Sequence, residues 1–187
     1  MELRFLYSKE KKKKNLLHIF DEYQWFIDNN FHIVVPKFYA KVYGQNKHNR
    51  KAFASKMSKE LNITYNKNNY QMNLQKIKTN WQKIEPKFFN IFKSFNFNLR
   101  DKYICYTLLY GPNGQFEYPN IINLRAQNRK DIAQANIIIA HEIIHLSIYN
   151  KAKKMELNYK QTEGVVDLFF TETELSKIFP QYGLQSV

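Results

Sequence analysis

Residues 136–150, NIIIAHEIIHLSIYN, constrain this chain more than any other stretch. Ile132, Ala135, Ile137, Ile138, Ile139, Ala140, Ile143, Ile144, Leu146 and Ile148 place apolar side chains around almost the whole circumference of a helix. The helix they predict, N-capped by Asp131 and running to about Lys154, therefore belongs in a core. Into that apolar cylinder the sequence sets His141, Glu142 and His145. Buried polar groups need partners, and an unpaired ionised carboxylate in an apolar setting is very costly. Side chains four apart on a helix lie one above the other, so the two imidazoles converge on one point with Glu142 beside it. The pattern is HExxH, in which two histidines can hold one zinc ion and the glutamate can act as general base. Two histidines on an apolar helix also occur as satisfied core groups, so the pattern gains force only from what the rest of the chain supplies.

A zinc site needs a third protein ligand, and the sequence narrows the choice. Five histidines exist, and His18, His32 and His48 all precede the motif. The single Cys105 excludes a multi-cysteine site and an internal disulfide framework. Ile148 and Lys151 stand where a metzincin needs Gly and His. The carboxylates that remain downstream are Glu156, Glu163, Asp167, Glu172 and Glu174. Glu163 stands out, because 18 residues separate it from His145, enough for the first helix to end, turn and send a second helix back. Asp167 follows four later on the same face, where it can accept a hydrogen bond from the outer nitrogen of a ligating imidazole and so fix its orientation. Gly164, Val165, Val166, Leu168, Phe169 and Phe170 make the segment apolar, so two carboxylates in it need a reason.

His141-Glu142-x-x-His145 followed by Glu163-x-x-x-Asp167 resembles the gluzincins, the thermolysin-like and aminopeptidase-like zinc peptidases. The order of elements is similar too: a backing helix over 71–95, a small sheet over 103–126, the HExxH helix over 131–154 and a glutamate helix over 159–170. The resemblance covers about 115 residues and is greatest to the minimal members, the minigluzincins. It implies an α+β, zincin-like catalytic domain with a small mixed sheet, preceded by a mainly helical basic region. By the same resemblance, one Zn2+ per chain is held by His141, His145 and Glu163, with Asp167 behind them. Glu142 is general base and then general acid in peptide-bond hydrolysis, and a peptide or protein substrate adds as a strand along Ile121, Ile122, Asn123, Leu124 and Arg125. Tyr149, Tyr159, Tyr182 and Arg125 are candidates for the donor that stabilises the oxyanion. The larger families' helical subdomain, which supplies that donor, has no counterpart here.

Composition bounds the rest. Hydrophobic residues at 44% and aromatics at 16% are enough for a real core. The net charge of +13 is uneven: residues 1–100 carry 20 Lys and Arg against 7 Asp and Glu, whereas residues 101–187 carry nine of each. A basic N-terminal region over 1–70 and a peptidase domain over 71–187 follow as the expected division. Such a charge excess suits a nucleic-acid-binding module on an inactive zinc scaffold. With 21 Asn beside the lysines, a compositional bias that merely solvates the surface is the preferred reading. Another alternative is a regulatory zinc protein like the ImmA/IrrE-like metallopeptidases. The segment NLLHIFDEYQWFI carries charges where a secretory signal needs an apolar run, and Ile137 to Ala140 is far short of the roughly 20 residues of a membrane span. A soluble, cytoplasmic protein is expected.

Periodicity predicts an exposed lysine run at Lys11–Lys14, a helix over 15–28, a weak β-prone stretch over 31–43 and a basic helix over 45–61. It predicts a loop over 62–70, a helix over 71–95 kinked at Pro86, a strand over 103–110 and a turn at 111–114. A strand over 115–126, interrupted by Pro119, reads as an exposed edge. A tail over 181–187 follows the glutamate helix, close enough to lie in the cleft.

Overall fold

The computed structural model of the chain describes every residue except 47, 48, 65, 96, 98 and 187, and the side chains of 46, 64, 67, 69 and 70 are likewise outside the description. The chain is α+β, with a four-stranded mixed sheet and helices on both of its faces. Strand β1 (Glu2–Leu6) leads into α1 (Lys9–Asp21), α2 (Tyr23–Asp28), α3 (Tyr39–Asn46), α4 (Arg50–Thr64), α5 (Lys67–Gln82) and α6 (Glu85–Lys93). Then come β2 (Lys102–Leu108), β3 (Gly114–Glu117), β4 (Ile121–Arg125), α7 (Arg129–Lys154), α8 (Tyr159–Thr171) and α9 (Leu175–Ile178).

Strand order is β1-β2-β4-β3, with β1, β2 and β4 parallel and β3 antiparallel to β4. Residues paired in register share a face. Cys105 opposite Ile122, and Leu124 opposite both Thr107 and Gly114, therefore define the face that α7 covers. Tyr103, Cys105, Ile122 and Leu124 are buried there with Ile139, Ile143 and Ile144 of α7 and Trp81, Phe88 and Phe92 of α5 and α6. Helix α7 is long and apolar enough to cross a bilayer, but half of that stretch is buried inside this fold. The core thus accounts for its apolarity.

The opposite face carries α1. Lys11 Nζ lies 2.6 Å from Glu117 Oε1, and His18 Nε2 lies 2.7 Å from Gln115 Nε2. The Lys11–Lys14 run is therefore helical and only partly exposed: Lys12 is 2% exposed, with its ammonium 4.7 Å from the ring centre of Tyr110. Burial lowers its pKa to about 8. A second core has all its buried members, Leu16, Ile19, Phe26, Tyr39, Val42, Phe53, Met57 and Leu61, within residues 1–70, with Tyr110 packed against it from the sheet side of the chain. Strand β1 nevertheless belongs to the sheet, and Leu3 lies in the main core.

Several expectations need correction. Residues 39–46 are helical rather than β-prone, because Tyr39 and Val42, three apart, both bury in the second core. The 62–70 loop is helix over 62–64 and 67–70; residue 65 within it, like His48, lies outside the described residues. The 71–95 helix breaks at Lys83-Ile84, with Pro86 in the first turn of α6, where its missing N–H costs nothing. Asp131 is not the N-cap of α7: Asn128 caps it, and Asp131 completes a capping box as the third helical residue.

Asp131 has a second task. Its carboxylate lies 3.0 Å from Arg125 Nη2 and 3.2 Å from Arg125 Nε, and Arg125 also reaches Gly111 O at 3.2 Å and Asn113 Oδ1. Both charges are buried, so the pair fastens the end of β4 and the 111–113 turn to the start of α7. Asp131→Asn keeps the shape but leaves Arg125 without its counter-charge. It is expected to cost about 2 kcal/mol, read as a lower urea midpoint at unchanged slope.

Candidate metal centre

The α7 helix sets His141 and His145 one turn apart, with their Nε2 atoms 2.9 Å from each other. The chain then leaves α7 at Met155, reverses through Glu156, whose φ of +54° is in the left-handed region, and restarts at the Asn158 capping box. Helix α8 returns along α7 and delivers Glu163. Its Oε2 lies 3.2 Å from His141 Nε2 and its Oε1 3.3 Å from His145 Nε2. Among the described residues, these three form the group whose donor atoms lie close enough together to hold a metal ion.

The spacing fits a metal. Atoms that each sit about 2.0–2.1 Å from one tetrahedral ion stand about 3.3 Å apart, close to the distance from each imidazole to the Glu163 oxygen nearest it and somewhat above that between the two imidazoles. Glu163 Oε2 is buried and makes no hydrogen bond despite its nearness to His141 Nε2. Two acceptor lone pairs facing one point are better served by a cation than by each other. Burial would raise the Glu163 carboxyl, but the two imidazoles, when they carry protons in place of a metal, outweigh it and hold the group well below the usual carboxylate range.

Glu142 is 6% exposed and lies on the opposite side of α7 from solvent, against β3. Burial pushes its pKa up to about 7, with His145 opposing and the Glu163 charge adding to the rise. Its place depends on Gly114. A Cβ at Gly114 would overlap Glu142 Oε1 and Ile138 Cγ2, so the strand can come this close only as glycine. Phe116, two residues on and on the same face, stacks on His145 with ring centres 5.1 Å apart.

Asp167 sits on α8 as expected, but it does not meet an imidazole directly. Tyr182 stands between: its hydroxyl donates to Asp167 Oδ1 at 2.6 Å and lies 3.1 Å from His141 Nδ1. Asp167 also accepts from Gln185 N at 3.0 Å, Ser186 N at 3.0 Å and Ser186 Oγ at 2.7 Å. Residues 182–186 therefore run along α8 on the outer side of His141. His145 Nδ1 is buried without a hydrogen-bond partner among the described residues, so the two imidazoles are supported differently.

The other candidates separate cleanly. Ile121–Arg125 is β4, hydrogen-bonded to β2 on one side and β3 on the other, so no substrate strand can add to it. Ile122, Asn123, Leu124 and Arg125 are buried, and β3 is the sheet's edge on this side. Arg125 is spent on Asp131. Tyr149 lies one turn past His145 in a ring ladder, 4.6 Å from Tyr118 and 6.0 Å from Phe116. Tyr159 is the candidate beside the ligands: burial and the charge of the adjacent Glu163 carboxylate raise its pKa well above the ordinary phenol value. It is also 41% exposed. Gly114 and Phe116 went unnoticed in the sequence, where Gly114 read only as a turn residue.

No family model, curated protein or solved structure matches this chain.

Proposed function

We propose that this protein is a zinc-dependent peptidase of gluzincin-like type. The observation that carries the proposal is the convergence of His141 Nε2 and His145 Nε2, 2.9 Å apart, on the Glu163 carboxylate, whose Oε2 lies 3.2 Å from the first and whose Oε1 lies 3.3 Å from the second, beside the buried carboxylate of Glu142. Two imidazoles and a carboxylate are the donor set of many hydrolytic zinc sites. Zinc held there would polarise the scissile carbonyl and bring the pKa of a water down to roughly 7.

The chain's own groups supply the rest. Glu142 accepts the proton of the attacking water at a carboxylate oxygen and returns it to the leaving amine nitrogen. Edge strand β3 is where an extended peptide pairs through its main chain, in place of β4. The Tyr159 hydroxyl is the donor for the developing oxyanion, since Tyr182 and Arg125 are committed elsewhere.

The test is zinc stoichiometry of the wild type and of His141→Ala, paired with cleavage of a mixed peptide library. The expected result is about one zinc per chain in the wild type, none in His141→Ala, and cleavage only by the loaded wild type. Full zinc in His141→Ala refutes the site. Zinc without cleavage of any peptide refutes the enzyme and leaves a regulatory zinc protein.

A further inference from the structure

Helix α8 ends with Asp167 facing the segment that follows α9, and the contacts there are more numerous than a loose tail would make. Tyr182 stacks flat on Phe170, with ring centres 3.8 Å apart at 4°, which fixes its hydroxyl between Asp167 and His141. Asp167 takes its other hydrogen bonds from Gln185 N, Ser186 N and Ser186 Oγ, so both carboxylate oxygens are saturated by residues 182–186.

We propose that Tyr182 and the 185–186 strap are positioning residues of the metal centre, which set the tautomer of His141 and thereby its affinity for zinc. The proton count gives the direction. Asp167 is saturated with donors and can only accept, so the Tyr182 proton points to Asp167 Oδ1. The Tyr182 oxygen then has only lone pairs left for His141, and His141 Nδ1 must carry the proton. In the neutral ring Nε2 is then left bare and aimed at His145 and Glu163, which is the form a metal needs. The hydrogen bonds to Asp167 outweigh its burial and hold its pKa below the ordinary value, which keeps it an acceptor. Among the described residues His145 Nδ1 has no such partner. Residues 182–186 are thus a part of the site rather than a plug in the cleft.

This inference rests on the metal reading above, so the experiment reads the two apart. Tyr182→Phe keeps the ring on Phe170 and removes only the hydroxyl. Two quantities are measured: zinc affinity by competition with a chelator, and the His141 tautomer by long-range proton–nitrogen correlation on the metal-free protein at about pH 8, well above the ordinary imidazole range. Tyr182→Phe is expected to bind zinc roughly 10- to 100-fold more weakly and to lose the Nδ1–H tautomer at His141. Ser186→Ala, which removes one donor of the strap, is expected to fall between it and the wild type. Melting of the metal-free Tyr182→Phe chain within a few degrees of the wild type shows that the fold is kept. Wild-type zinc affinity in Tyr182→Phe overturns the inference, and so does an unchanged tautomer. A wild-type chain that takes up no zinc refutes the metal reading instead, and the tautomer then decides the relay alone.

Discussion

A Glu142→Gln chain is expected to bind about one zinc, as the wild type does, and to cleave peptide about 10³-fold more slowly, the range in which general acid–base groups act. Glutamine matches glutamate in shape, so the close contact with Gly114 and the packing of α7 are kept. What it cannot do is take a proton. A loss of zinc in this variant would mean that Glu142 is a ligand, and unchanged cleavage would remove it from the chemistry. The metal-free protein gives an independent readout. Its Glu142 pKa is raised from 4.5 to about 7, chiefly by burial, so the folded state holds this proton more tightly than the unfolded chain does. The associated stability is fully present below about pH 4.5 and is lost as pH rises through about 7. Between pH 5 and pH 8 the metal-free wild type should therefore lose up to about 3 kcal/mol that Glu142→Gln does not lose. A cation at the ligands would lower the same pKa and restore the carboxylate form at neutral pH.

What the sequence reveals of this site is what helical periodicity carries. His141, Glu142 and His145 lie within one turn and a half of α7, and Glu163 lies on the helix that directly follows, so local rules suffice to bring them together. The α+β class follows from the same periodicity, as do the helices expected over 45–61, 131–154 and 159–170 and found at Arg50–Thr64, Arg129–Lys154 and Tyr159–Thr171, whereas the one expected over 71–95 is two, Lys67–Gln82 and Glu85–Lys93. Strand order does not. Pro119 reads as an edge signal for the strand beside it, yet it occupies the turn between β3 and β4, and either strand of that hairpin could have been the edge. The parallel pairing of β2 with β4 decides the matter, and it is a contact between distant segments. The burial of Lys12 against the far face of the sheet, and the placing of Tyr182 between Asp167 and His141, have the same origin. Each depends on where a segment travels after its own local structure has ended.

Gly114→Ala makes the second large effect, and its sign is opposite to the usual one. At a position whose backbone an L residue can adopt, Gly→Ala stabilises by about 0.4–1 kcal/mol through the unfolded chain. At Gly114 the added methyl meets two atoms of α7, and they do not yield equally. Glu142 Oε1 is the end of a flexible side chain, although a buried one. Ile138 Cγ2 is a branch methyl one bond from Cβ, stiff in a helix, so it moves only if the helix or the strand moves. The expected cost is about 1–3 kcal/mol in the urea midpoint, as for overpacked cores. Cleavage should fall about 10²-fold, because a shift of about 1 Å at the proton acceptor is enough for that. Zinc stoichiometry should stay at one per chain, since the atoms an added Cβ meets first belong to Glu142 and Ile138 and to none of the three ligands. An alanine variant as stable and as active as the wild type would show that β3 does not press on Glu142. A variant that loses zinc as well would place the damage in the ligands and the helix as a whole, and the separate role given to the β3 contact would fail.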